Sequence, residues 1–121
     1  MSKTRKTNAD RILGFCRGLP GVTEDVKWGH DLCFLVGGKM FVVFDLPDCE
    51  HMSFKVDPVA FGTMVQKEGI TPAPYLAHHS WVAVASRDVL PEDELKELIR
   101  QSYLLIAGKL PKKTRTQLGL T

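Results

Sequence analysis

The chain has 121 residues, which is the length of one domain, and its 44% hydrophobic and 25% charged residues are typical of a folded globular protein. The longest apolar run, residues 40–44, is far shorter than the roughly 20 residues that span a bilayer, and no apolar signal segment follows the basic N-terminus. We therefore expect a cytoplasmic protein with no membrane partner. Its three cysteines form no C-x-x-C pair and are expected to be free thiols.

Charge is unevenly distributed along the chain. The formal net charge is +2, yet residues 1–6 and 109–121 carry seven basic residues and no acidic one. Residues 7–108 hold the other nine basic residues and all 14 acidic ones, a net charge of −5. We expect a disordered basic N-terminal tail over residues 1–6, a single domain over residues 7–108 and a basic C-terminal tail over residues 109–121.

The first predicted element is an amphipathic helix that begins at Thr7 or Asn8 and ends near Gly18. Its apolar residues recur on one helical face: Ile12, Leu13, Cys16 and Leu19. Residues 22–28 follow as a short connection or an edge strand.

The centre of the chain is a predicted β-hairpin, in which two apolar strands flank Gly37-Gly38. A two-residue turn there pairs Val36 with Lys39 and Phe34 with Phe41. This register predicts two faces, the first with Leu32, Phe34, Val36, Phe41 and Val43, and the second with Cys33, Leu35, Met40, Val42 and Phe44. Because both faces are apolar, we expect the hairpin to be central in the sheet and covered on both sides, or on one side and by a partner on the other.

The remaining chain predicts further strands and two helices that pack on them. These elements are a half-exposed strand over residues 50–56, a helix from Asp57-Pro58 to Gly69, a loop over residues 70–80, a strand over residues 81–85, and a helix from Pro91 to Gly108. Helices at both ends and strands in the middle indicate an α+β fold. We expect an antiparallel sheet of about five strands with N-terminal, middle and C-terminal helices packed on it.

No motif predicts a catalytic, metal or cofactor site. The serines lack a nucleophile elbow, and Gly37-Gly38 lacks the spacing of a phosphate-binding loop. Adjacent His78 and His79 would point to opposite faces of a strand, and Cys49 with His51 offers too few ligands for zinc. We therefore expect no catalytic residue, no metal and no cofactor, and we do not expect an enzyme.

Two sets of residues are candidates for binding a partner. The first is a sheet surface with cations and aromatic rings: Trp28, Lys39, Lys55, His79 and Trp81. It would suit an anionic or stacked ligand; alternatively, the tryptophans lie in the core and the lysine stems cover apolar surface. The second set lies in the C-terminal tail and would contact phosphates or remain solvated: Lys109, Lys112, Lys113 and Arg115.

A series of short motifs resembles the bacterial MmcQ/YjbR family of small proteins. In chain order they are Leu19-Pro20-Gly21-Val22, Trp28-Gly29, Val36-Gly37-Gly38-Lys39-Met40-Phe41, Ser53-Phe54-Lys55-Val56-Asp57-Pro58, Pro74 with His79 and Trp81-Val82, Ser102-Tyr103, and Leu110-Pro111-Lys112-Lys113. The resemblance extends from about residue 8 to residue 115. It implies a CyaY-like α+β fold with a curved antiparallel sheet, and a DNA-binding role through a double-wing motif.

From this resemblance and the basic tails we expect a monomeric nucleic-acid-binding module that contacts DNA electrostatically through its tails. The net charge of −5 on residues 7–108 opposes such contacts, because phosphates repel an acidic surface. The alternative is a protein-interaction or small anionic-ligand adaptor that uses the surface formed by Trp28, Lys39, Lys55 and Trp81.

Overall fold

The computed structural model describes residues 2–74, 76 and 79–120, with side chains from residue 9 onward. Its elements in chain order are α1 Ser2–Arg17, β1 Val22–Lys27, β2 Asp31–Val36, β3 Lys39–Asp45, β4 Met52–Lys55, α2 Pro58–Met64, β5 Ile70–Pro72, β6 Trp81–Val84, α3 Glu92–Ala107 and α4 Lys112–Gln117. This order confirms the predicted α+β class. Helix α1 begins at Ser2, earlier than the predicted start at Thr7 or Asn8. Met1 and the side chains before residue 9 lie outside the described part of the chain, so the disordered tail over residues 1–6 stays a prediction.

The strands form one antiparallel sheet in the order β1-β2-β3-β4-β6-β5, which places the hairpin of β2 and β3 inside the sheet as predicted. Six strands are present where about five were expected. The additional strand is β5, residues 70–72, which pairs with β6 at the edge. This strand was not predicted because three residues are too few to show an alternating pattern. Pro72 is tolerated in it because an edge strand forms hydrogen bonds on one side alone.

Three helices cover one face of the sheet. Helix α3 packs on β2, β3 and β4, α1 packs against α3 and β1, and α2 contacts β6. Two exposed ion pairs hold α1 to its neighbours: Arg11 Nη2 lies 2.7 Å from Glu92 Oε1, and Arg17 Nε lies 2.8 Å from Glu24 Oε2. None of the described helices is long and apolar enough to cross a membrane.

The turn between β2 and β3 has the predicted geometry. Gly37 and Gly38 have φ angles of 59° and 80°, values that glycine adopts without the strain a side chain would add, and Val36 pairs with Lys39. An ideal Cβ built on Gly37 would lie 2.7 Å from Leu110 Cδ1. The hairpin turn therefore packs closely against the segment that follows α3.

The predicted pairing of Phe34 with Phe41 is wrong. Phe34 pairs with Val42, Leu35 pairs with Met40, and Phe41 is the extra residue of a β-bulge. Phe41 and Val42 consequently both lie in the main core.

The bulge also reverses the faces of the residues that follow it. Phe44 packs in the main core and Val43 lies on the opposite face, the reverse of the expectation for both. A single inserted residue has this effect because side chains alternate along a strand with a period of two.

Ser102 of α3 satisfies the backbone groups that the bulge disturbs. The β3–β4 pairing ends at Val42 and Phe54, so Phe41 and Lys55 are the next positions on the two strands. The Ser102 hydroxyl donates to the Phe41 carbonyl at 2.6 Å and accepts from the Lys55 N–H at 3.1 Å. This buried hydroxyl thus bridges the two strands where the ladder lacks a direct bond.

The face of the sheet away from the helices carries a second, smaller apolar cluster. Its buried members are Ala73, Trp81 and Ala83, and its half-buried members are Met40, Val43 and Leu76. Ala73 and Leu76, which lie between β5 and β6, pack on this face. Of the two predicted arrangements, coverage of the hairpin on both sides is therefore the one observed.

The segment predicted as a basic C-terminal tail is folded as far as it is described. Residues 112–117 form helix α4, Leu110 is buried, and Leu118 and Leu120 pack against the main core. Thr121 lies outside the described residues. The basic side chains of this segment are consequently held on a fixed helix.

The cysteines are free and buried, as expected from their spacing: Cys16, Cys33 and Cys49. Burial raises the pKa of the Cys16 thiol to about 12.

We expect Ser102→Ala to lower the free energy of unfolding by about 1–3 kcal/mol, because it leaves the Phe41 carbonyl and the Lys55 N–H without their shared partner inside the protein. Urea denaturation followed by circular dichroism measures the change. Ser53→Ala is the matched control, since Ser53 is half-buried on β4 and its hydroxyl bonds to no other strand within the described part of the chain. Equal stability of the two variants would contradict the role of Ser102.

Candidate functional site

The strand register separates the predicted sheet surface into two ends. Lys39 begins β3, next to the hairpin turn, and Lys55 ends β4 opposite Trp81. Trp28 lies in the turn between β1 and β2, where Asp31 pairs with Asp45 at the far end of β3. With a rise of about 3.3 Å per residue, the ends of β3 are roughly 20 Å apart. The five residues of that surface do not converge.

The two tryptophans have different environments. Trp81 is 5% exposed and packs in the second apolar cluster, so it is a core residue. Trp28 is 69% exposed and has a φ of 54° in its turn. The interpretation of a paired tryptophan core is therefore wrong for Trp28, and the interpretation of a stacking surface is wrong for Trp81.

Lys55 lies in a partly desolvated position at the hairpin-turn end of the sheet. Its ammonium donates to the His79 carbonyl, so His79 contacts Lys55 through its backbone. Desolvation by burial lowers the pKa of Lys55, and the nearby charge of Lys109 lowers it further. The tertiary structure thus brings together two cations that are 54 positions apart in the chain.

The contact of Leu110 with Gly37 explains how Lys109 reaches this end of the sheet. Leu110 is buried against the hairpin turn, and Lys109 precedes it in the turn between α3 and α4. We call the exposed lysines here the basic edge: Lys39, Lys109, Lys112 and Lys113. No acidic residue follows Glu97 in the sequence. The basic edge is therefore formed by two parts of the chain, one of them free of acidic residues.

Arg115 differs from the other basic residues of α4. Its side chain is half-buried, whereas Lys112 and Lys113 are exposed. Its Nε atom is buried and has no hydrogen-bond partner within the described part of the chain. Arg115 therefore faces inward, towards α3, rather than joining the basic edge.

The opposite end of the sheet carries histidines and carboxylates that the sequence did not single out. Potential ligand atoms of His30, Asp31 and Asp45 all lie within 4.8 Å of one another. His30 Nδ1 is 2.9 Å from Asp31 Oδ1, and His51 Nδ1 is 3.2 Å from Asp45 Oδ2. These two partly exposed His–Asp contacts account for the cluster, although its donor atoms would also suit a divalent cation. The hairpin register, which brings Asp31 opposite Asp45, was the signal that could have found it.

The comparisons with known proteins identify a family and a fold. A sequence model described as YjbR matches residues 17–105. A search of curated proteins finds no match. A crystal structure of a Deinococcus radiodurans protein with a DUF419 domain is 32% identical, has a TM-score of 0.83, and aligns over 93% of this chain and 88% of its own. A crystal structure of a Pseudomonas syringae protein is 20% identical, has a TM-score of 0.64, and aligns over 80% of this chain and 97% of its own.

Trp81→Ala should lower the free energy of unfolding by about 3–5 kcal/mol, because it removes a buried aromatic side chain from the second apolar cluster. Trp28→Ala should change it by no more than about 0.5 kcal/mol, since the indole is mostly exposed. Urea denaturation compares the two variants. A larger loss for Trp28→Ala than for Trp81→Ala would overturn the assignment of these residues.

Lys109→Gln should raise the pKa of Lys55 towards its ordinary value, because it removes a neighbouring positive charge. The pKa should stay below that value, since desolvation remains the larger cause. A lysine whose pKa is lower in the folded state destabilises the fold. The whole effect is present at pH values below the folded-state pKa, and none of it remains above the unfolded-state pKa. Because neutral pH lies in the first range, the variant should be more stable there. NMR titration of the Lys55 side chain measures the shift. Lys67→Gln, at an exposed site, should leave it unchanged.

Proposed function

This chain belongs to the YjbR family, and we propose that it binds nucleic acid through electrostatic contacts between the basic edge and the phosphate backbone. The observation that carries the proposal is the position of the basic edge on the folded domain. Lys109, Lys112 and Lys113 are exposed on the α3–α4 segment, which Leu110 attaches to the hairpin turn beside Lys39. Such an array of cations is suited to a polyanion.

The electrostatics of Lys55 support a polyanionic partner. Desolvation lowers its pKa, and the nearby charge of Lys109 lowers it further, so the two lysines repel each other at this end of the sheet. A phosphate placed beside the basic edge would relieve this repulsion and favour the charged form of Lys55.

The acidic charge on the rest of the domain determines which end of the sheet a polyanion approaches. Residues 7–108 carry a net charge of −5, and the cluster of Asp31 and Asp45 lies at the end of β3 opposite Lys39. A polyanion is therefore repelled from one end of the sheet and attracted to the other.

The proposed contact is to the backbone and is largely independent of base sequence. Lysine ammonium groups bind phosphate as point charges, and phosphate contacts carry no direct sequence information. Trp81 is buried, and Trp28 lies at the far end of the sheet, so neither supplies a stacking platform beside the basic edge. For the same reason we do not propose the adaptor surface of Trp28, Lys39, Lys55 and Trp81.

Lys112→Gln should weaken binding to random-sequence duplex DNA and reduce the slope of log K against log salt concentration by about one unit, since one phosphate contact is lost. Fluorescence anisotropy of the full chain at several salt concentrations measures both. Lys67→Gln is the matched control, because it removes the same charge from an exposed site outside the basic edge.

Two outcomes would contradict the proposal. The first is negligible binding of the unsubstituted protein at low salt. The second is an equal loss for Lys112→Gln and Lys67→Gln, which would assign binding to overall charge. Point substitutions are preferable to removal of residues 109–121, because Leu110, Leu118 and Leu120 pack in the core.

A further inference from the structure

A pocket of about 380 Å³ lies between the end of α1, the second half of α3 and the C-terminal segment. Its volume is within the range of about 300–1,000 Å³ that is usual for small-molecule sites. Leu19 and Pro20 come from the segment after α1, Tyr103 and Leu104 from α3, and Leu120 from the end of the described chain. The pocket is separate from the basic edge, which is formed by exposed side chains.

The walls of the pocket are mainly apolar. Leu19 and Leu120 are half-buried, and Leu104, which also lines the pocket, is 48% exposed. The Tyr103 hydroxyl already donates to the Pro20 carbonyl, and its ring packs edge-on against Phe41 with centroids 5.4 Å apart. Tyr103 therefore acts as a fixed wall.

Two arginines give this apolar pocket a positive charge. Arg115 contributes a buried Nε–H that has no acceptor among the described residues. Buried polar groups in proteins nearly always have a hydrogen-bond partner, and a missing partner is destabilising. Arg115 therefore has an unused donor on a side chain that lines the pocket.

Arg100 is also available. Its ion pair with Glu97 is 3.6 Å long, and the two side chains are 51% and 53% exposed, so water screens the interaction and little energy is lost on breaking it. None of the ten described residues that line the pocket is acidic. The pocket is thus complementary to a negative group attached to an apolar body.

We propose that this pocket binds a small amphipathic oxyanion, a carboxylate or phosphate monoester with a short apolar chain or ring. Its oxygen atoms accept hydrogen bonds from Arg115 Nε and from the Arg100 guanidinium, a geometry in which arginine forms paired bonds with planar or tetrahedral oxyanions. Its apolar body lies against Leu19, Leu104 and Leu120. This site is independent of the proposed nucleic-acid contact, because its arginines do not belong to the basic edge.

Octanoate and octyl phosphate are suitable probes for the full-length protein, and octanol is the uncharged comparison. Isothermal titration should show saturable binding of at least one anion and much weaker binding of octanol. In NMR spectra, the Arg115 Nε–H resonance should shift on saturation, because that donor gains its acceptor. The two anions distinguish a carboxylate site from a phosphate site.

Arg100→Gln should weaken binding of the preferred anion by about ten-fold or more, as expected for loss of a charge-assisted hydrogen bond. Lys67→Gln, which removes a positive charge from an exposed site outside the pocket, should leave the affinity unchanged. Binding of octanol as tight as that of the anions, unchanged affinity in Arg100→Gln, or an unshifted Arg115 Nε–H at saturation would each overturn the proposal. The unsubstituted protein supplies the NMR result, so the test holds even if an arginine variant does not fold.

Discussion

The hydroxyl of Ser102 holds the two layers of this protein in register. It lies between the Phe41 carbonyl and the Lys55 N–H, where the pairing of β3 with β4 ends beside the bulge. Because an unpaired buried backbone group is costly, the bulge is stable where α3 supplies this partner. The bulge in turn places Phe41, Val42 and Phe44 in the core beneath α3. The packing of the helix and the alternation of the strand therefore depend on the same contact.

The position of α3 determines where the functional surfaces form. The chain leaves α3 so that Leu110 packs against Gly37. This contact holds Lys109 near Lys55 and the rest of the basic edge beside the hairpin turn. The same helix supplies Arg100, Tyr103 and Leu104 to the pocket beneath α4. The outward-facing lysines of α4 and its inward-facing Arg115 thus serve different surfaces, although they lie within four residues of one another.

Charge separation along the sheet follows from the hairpin. A single register brings Asp31 opposite Asp45 at one end of β3 and leaves Lys39 exposed at the other. The overall net charge of +2 hides this polarity, which governs the approach of a charged partner more than the total does. Neutral apolar residues between the two ends are covered by helices on one side and by the β5–β6 segment on the other.

Local patterns in the sequence determined the α+β class, the glycine turn with its pairing of Val36 and Lys39, and the start of α2 at Asp57-Pro58, where Asp57 accepts from the Val59 N–H. Each depends on the backbone preferences of a few neighbouring residues, which are readable from the sequence. Tertiary structure alone decided the bulge at Phe41, the burial of Trp81, the exposure of Trp28 and the separate roles of Lys112 and Arg115. These outcomes depend on contacts between residues far apart in the chain, such as Ser102 with Phe41 and Leu110 with Gly37. A local sequence pattern does not encode which distant group will supply such a partner.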